Sequence, residues 1–141
     1  MPRTLRRLAL AAAATIVAHG AMAASPDSAL FDAARAAQPA VVQSLKDMVS
    51  IESGSANIQG LTRMADYTSQ RLQAVGAKVE RLPMSTSAAP MVKATLTGTG
   101  KRKIMLIGHM DTVYPAGILS SQPIREDGNR LYGPGIADDK G

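Results

Sequence analysis

The run Ile104-Met105-Leu106-Ile107-Gly108-His109-Met110-Asp111-Thr112-Val113 decides how this chain is read. Four consecutive long aliphatics without alternation suit a strand covered on both faces, as in α/β sheets whose sites lie beyond the carboxyl ends of their strands. His109 is then expected at the rim of the sheet. If the chain stays extended there, residues two apart point the same way. Asp111 can then hydrogen-bond the imidazole nitrogen of His109 that faces away from a ligand. That is the pattern of a metal-binding histidine with its orienting carboxylate. Taken alone, the triplet reads more simply as a satisfied polar pair at a strand end.

A second stretch, Gly133-Pro134-Gly135-Ile136-Ala137-Asp138-Asp139-Lys140-Gly141, sets two adjacent carboxylates in a glycine-rich loop, after a connection short enough to return to the same rim. Neighbouring acids repel unless something positive lies beside them, and a divalent cation is the usual answer. A solvated acidic turn is the plainer alternative, since Asp and Gly favour turns anyway.

Together, His109-Met110-Asp111-Thr112-Val113 and the stretch from Tyr132 to Gly141 resemble the first two metal-site signatures of the M20 family of zinc metallopeptidases, and within it the glutamate carboxypeptidase (carboxypeptidase G) branch. Gln38-Pro39-Ala40-Val41-Val42, Val49-Ser50-Ile51-Glu52-Ser53-Gly54 and residues 114–119 carry the same resemblance. The resemblance implies a partial three-layer α/β/α catalytic domain of α/β class and a site of two zinc ions. In that site His109 and Asp138 are metal ligands, Asp138 bridging, and Asp111 is the catalytic-site carboxylate behind His109. Asp139 and Lys140 are then geometry and packing residues, with Asp139 as the alternative ligand. The implied reaction is amide hydrolysis releasing a C-terminal glutamate from folate-like or peptide substrates, small peptides or N-acyl amino acids. Dipeptidases and aminoacylases of the same family use similar first motifs. The family's Glu-Glu pair and its distal acid and histidine have no counterpart before Gly141, nor does the dimerisation domain through which the full-length form is a homodimer. The expectation is therefore an N-terminal portion, inactive alone. The alternative is a non-catalytic secreted binding module with a vestigial metal site.

Composition bounds the rest. The 141 residues hold a single small domain's worth of chain, with an ordinary apolar fraction. One Phe, three Tyr and no Trp leave few platforms on which bases could stack, which argues against a nucleic-acid partner. There is no cysteine, so neither disulfides nor thiolate metal sites are available.

Residues 1–23 read as a secretory signal: Arg3, Arg6 and Arg7, an Ala/Leu-rich segment of about ten residues, then Ala21-Met22-Ala23 as the cleavage site. That segment is too short for stable membrane insertion. Periplasmic or secreted localisation follows, by the general secretory route rather than the twin-arginine one. Cleavage removes three of the 16 basic residues and no acid, so the formal charge falls from +5 to +2 and the high pI belongs largely to the leader. His19, the only other histidine, goes with it.

Along residues 24–141 the periodicity predicts a helix from 26 to 49 that Pro39 divides into two segments. A polar loop follows over 50–57, then a helix over 61–75 stopped by Gly76. Strands are expected at 77–82 and 91–97, followed by a turn at 98–100 into the central strand. A small ribbon, 123–126 with 130–132, closes around Asp127-Gly128-Asn129. The apolar faces of both helices are read as core. Gly98-Thr99-Gly100-Lys101 fails as a phosphate loop, because Thr95 and Arg102 stand where glycine and a hydroxyl residue are required. Lys101-Arg102-Lys103 reads as a solvated tip.

Overall fold

The computed structural model describes residues 25, 27–85 and 87–141, leaving the side chain of Asp139 aside. The leader and His19 lie outside the described residues. The class is mixed α/β, two long helices and two small antiparallel sheets.

Helix α1 is Ser28–Val49. Asp27 caps it, its carboxylate accepting from the Leu30 N–H at 3.1 Å, which satisfies one of the first-turn donors that lack an intrahelical partner. Contrary to the expected division, Pro39 lies inside one continuous helix. Proline removes the bond to the carbonyl of Arg35, but that turn is exposed and water can take the orphaned oxygen. The core assignment also fails for α1 up to residue 43: Leu30, Phe31, Val41 and Val42 are all exposed, and only Val49 at the far end is buried. Periodicity marks a face able to be buried; a packing partner decides whether it is.

Helix α2, Ile58–Ala74, is capped by Asn57, whose Oδ1 accepts from the Gly60 N–H at 2.9 Å. Its inner face is Leu61, Met64, Ala65 and Ser69, close to the face read from the periodicity. It stops as expected at Gly76, which takes φ +84°. The Gly76 N–H donates to the Gln73 carbonyl and the Ala77 N–H to the Leu72 carbonyl, the paired bonds of a Schellman stop.

Strands β1 (Lys78–Leu82) and β2 (Met91–Thr95) pair antiparallel, Lys78 opposite Thr95 and Leu82 opposite Met91, and α2 packs on them. The Asp66 and Arg81 side chains pair across that contact. Tyr67 and Arg71 tie α2 to α1, the Arg71 guanidinium donating to the Ser44 hydroxyl at 2.8 Å. A one-turn helix α3, Ile118–Ser121, precedes a ribbon of β3 (Arg125–Asp127) and β4 (Arg130–Tyr132). Its two-residue turn opens with Gly128 at φ +58°, a conformation glycine adopts without strain.

The central strand is the main departure. Residues 104–107 join no ladder among the described residues, and their side chains are 81–91% exposed. A parallel-type strand takes its hydrogen bonds from neighbours reached through long crossover connections. β2 is already paired to β1, and no other described strand lies beside the run. Only its end is held. Thr112 forms an isolated parallel bridge to Gly54, with the Thr112 N–H on the Ser53 carbonyl at 2.9 Å and the Ser55 N–H on the Thr112 carbonyl at 3.0 Å. No helix among the described residues is long and apolar enough to cross a membrane.

Candidate metal centre

Although the strand is absent, its rim survives. The loop between α1 and α2 clamps residue 112 by that bridge, and this fixes the backbone that carries His109 and Asp111. Gly54 makes the approach possible, since a Cβ there would lie 2.1 Å from the Tyr114 carbonyl oxygen.

On the other side, residues 136–140 form a single π-turn rather than an open loop, closed by the Lys140 N–H on the Gly135 carbonyl at 3.1 Å. Wide turns of this kind recur at functional sites. Two groups hold it. Gly135, at φ +79°, lets the backbone lie against Thr112. The Lys140 ammonium donates to the carbonyls of Met48 (2.9 Å), in the last turn of α1, and of Ile51 (2.7 Å), just beyond it; the Met48 carbonyl also accepts from the Ile51 N–H. Burial lowers this ammonium to about 8 from an ordinary 10.5. Lys140 thus ties the π-turn to the end of α1.

The clamp and the π-turn bring His109, Asp111 and Asp138 together. His109 Nδ1 lies 3.1 Å from Asp111 Oδ1 and 3.0 Å from the Asp111 main-chain carbonyl. A carboxylate and a carbonyl only accept, so Nδ1 carries a proton; when the ring is neutral, Nε2 then presents a lone pair. Nε2 lies 3.5 Å from Asp138 Oδ1. Two acceptors facing each other repel unless a proton or cation lies between them. Two donors about 2.0–2.2 Å from one tetrahedral ion would be separated by about 3.3–3.6 Å, so this nitrogen and oxygen fit as two ligands of a divalent cation. Among the described residues no group of three side chains is placed to hold one ion.

The carboxyl of Asp111 is held below its ordinary range, first by the hydrogen bond from Ser55 and then by that from His109. The Ser55 hydroxyl donates to Asp111 Oδ2 at 2.6 Å. His109 and Asp111 also line one wall of a cavity of about 650 Å³, whose apolar side is formed by Leu61, Met64, Leu72 and Met91.

Ser55 and Glu52 are the polar residues that reading 50–57 as a plain loop passed over. Glu52 accepts from the Gly117 N–H (2.7 Å) and the Leu119 N–H (3.0 Å), fastening the segment beyond the site. The one signal in the sequence was the run from Val49 to Gly54, which belongs to the family resemblance. The two N–H donors lower the Glu52 carboxyl from 4.5. A folded value below the unfolded one means the latch is complete above pH 4.5 and released as pH falls through the lowered value. Protection of the Gly117 and Leu119 amides, measured against the intrinsic exchange rate at each pH, should therefore fall in the wild type as pH drops through that lowered value. In Glu52→Gln exchange should already be fast at neutral pH; slow exchange there would remove the latch.

No protein-family model matches the chain. Carboxypeptidase G2 of Pseudomonas sp. (strain RS-16) is 40% identical to it over 147 aligned residues, which cover 100% of this chain and 35% of that protein. The chain thus spans about a third of the length of the curated relative it matches. Identity at this level along the entire chain gives it a carboxypeptidase G-like relationship.

Proposed function

We propose that the chain forms the N-terminal part of an exported di-zinc exopeptidase of the M20 family, in its glutamate carboxypeptidase branch. The observation that carries this is the 3.5 Å approach of His109 Nε2 to Asp138 Oδ1, with Asp111 holding a proton of His109 on the far nitrogen. Similarity to a carboxypeptidase over the whole chain supports the reaction class, and the leader-like residues 1–23 support export to the periplasm or beyond.

His109 and Asp138 would hold zinc. Bound there as a pair of ions, the metal supplies a Lewis acid for the scissile carbonyl and a nucleophilic water near neutral pH. The work of this chain's own residues is positional. Asp111 keeps the proton on Nδ1 of His109, Lys140 holds the π-turn against α1, and Glu52 fastens the segment after the site. The substrate class is a small peptide or N-acyl amino acid with a C-terminal glutamate, including folate-like compounds. The whole protein acts as a homodimer, without nucleic acid or stable membrane insertion.

Two protein ligands are fewer than the three that catalytic zinc sites use, so the 141-residue chain by itself is expected to be inactive. Glutamate release from a folate-like substrate, assayed with added zinc, should stay at background. Robust turnover, abolished in His109→Ala, would show a complete site within these residues and overturn the division of labour proposed here.

A further inference from the structure

We propose that Ser55 is a positioning residue, whose hydroxyl fixes the rotamer of Asp111 and through it the tautomer and aim of His109. This rests on the reading of His109 and Asp138 as a metal-binding pair. Ser55 lies 56 residues before Asp111 in sequence and is brought to it by the parallel bridge between Gly54 and Thr112.

A serine hydroxyl has a single proton to give. Two acceptors are in reach, Asp111 Oδ2 at 2.6 Å and the Thr112 carbonyl at 3.2 Å, and the shorter bond to the charged oxygen takes it. The carboxylate is then held at both ends, Oδ2 by Ser55 and Oδ1 by His109 Nδ1 at 3.1 Å. Rotation of an aspartate carboxylate about its last torsion is otherwise soft, with broad and roughly two-fold preferences. Released from Ser55, Oδ1 would swing, and the His109 N–H would be left to the neutral Asp111 main-chain carbonyl at 3.0 Å, a weaker acceptor than a carboxylate. The preference for a proton on Nδ1, and with it the aim of Nε2 at Asp138, would weaken.

Ser55 is exposed, so the bond has little weight in global stability and its consequence is local. The backbone bonds of the bridge use the Ser55 N–H, the Ser53 carbonyl and both backbone groups of Thr112, so they survive removal of the hydroxyl.

The test uses the full 141-residue chain with its histidine rings labelled with nitrogen-15, the His109 signals being assigned against His109→Gln. At alkaline pH, where the ring is neutral, the wild type should show the tautomer protonated at Nδ1. Ser55→Ala should shift the ring nitrogens toward a mixture of tautomers, Ser55→Thr should restore the wild-type shifts, and Asp111→Asn should give a change that adding Ser55→Ala does not enlarge. Zinc titration of the same proteins should show affinity about 10-fold or more weaker in Ser55→Ala, the range for loss of a group that orients a metal ligand. A role confined to packing would move neither quantity. If Ser55→Ala does not fold, Ser55→Cys, isosteric but a weak donor, should move the ring shifts in the same direction. Wild-type shifts in a folded Ser55→Ala or Ser55→Cys chain would overturn the proposal. Should the wild type take up no zinc, the metal reading falls, while the ring shifts, which need no metal, still decide the role of Ser55.

Discussion

Replacing Gly135 by alanine should destabilise the chain by about 2–5 kcal/mol and open the gap between His109 and Asp138. Two independent costs combine. An L-residue in the left-handed region costs about 1–2 kcal/mol, and Gly135 sits at φ +79°. Its Cβ would also lie 2.7 Å from Thr112 Cγ2, a buried methyl that cannot withdraw to solvent, and overpacking of this kind costs about 1–3 kcal/mol. Relief comes only by separating the π-turn from residue 112, which carries Asp138 away from His109. Gly117→Ala is the internal control, since Gly117 has φ +87° and nothing within 4 Å of its Cβ position, so it bears the backbone cost alone. Denaturant unfolding of the two variants checks the difference. Equal losses would mean that the contact with Thr112 is unimportant, and that the π-turn is held by Lys140 and the backbone.

The 141-residue chain should self-associate through residues 104–107, and Ile104→Lys with Leu106→Lys should return it to monomer. Ile104, Met105, Leu106 and Ile107 are 87%, 81%, 91% and 88% exposed, and each is worth about 1.5–3 kcal/mol when fully buried. Their backbone groups lie outside any ladder among the described residues, so an apolar run and an open pairing edge coincide. Charges at 104 and 106 discourage pairing at that edge. Sedimentation over a range of concentrations should show oligomers for the wild type and a shift toward monomer for the double variant. A wild type that stays monomeric at high concentration would sink the prediction. In the proposed whole enzyme, the same run would be covered by the remainder of the catalytic domain.

Local chemistry was legible in the sequence wherever one residue type solves a local problem. Gly76 stops α2 because its left-handed backbone lets two N–H groups reach back to helix carbonyls, and the ribbon turns at Gly128 for a related reason. The His109-Met110-Asp111 triplet was legible in the same way, because the two side chains meet across a separation of two residues whether or not a strand contains them. The convergence of His109 with Asp138 could be expected from the family resemblance, and the structure places their atoms 3.5 Å apart.

What the sequence by itself determined is the set of short-range solutions: caps, stops, the small ribbon, the inner face of α2 and the imidazole–carboxylate pair. Each depends on backbone geometry within a few residues. Only the tertiary structure decided that α1 up to residue 43 and the run 104–107 are exposed, because burial requires a partner surface and hydrophobicity alone does not name one. It also decided that the rim of the site is held by a loop 56 residues upstream rather than by a sheet. Hydrogen bonds such as those of Ser55 to Asp111 and Glu52 to residues 117 and 119 join positions far apart in the chain, and no local pattern encodes which donor will meet which acceptor.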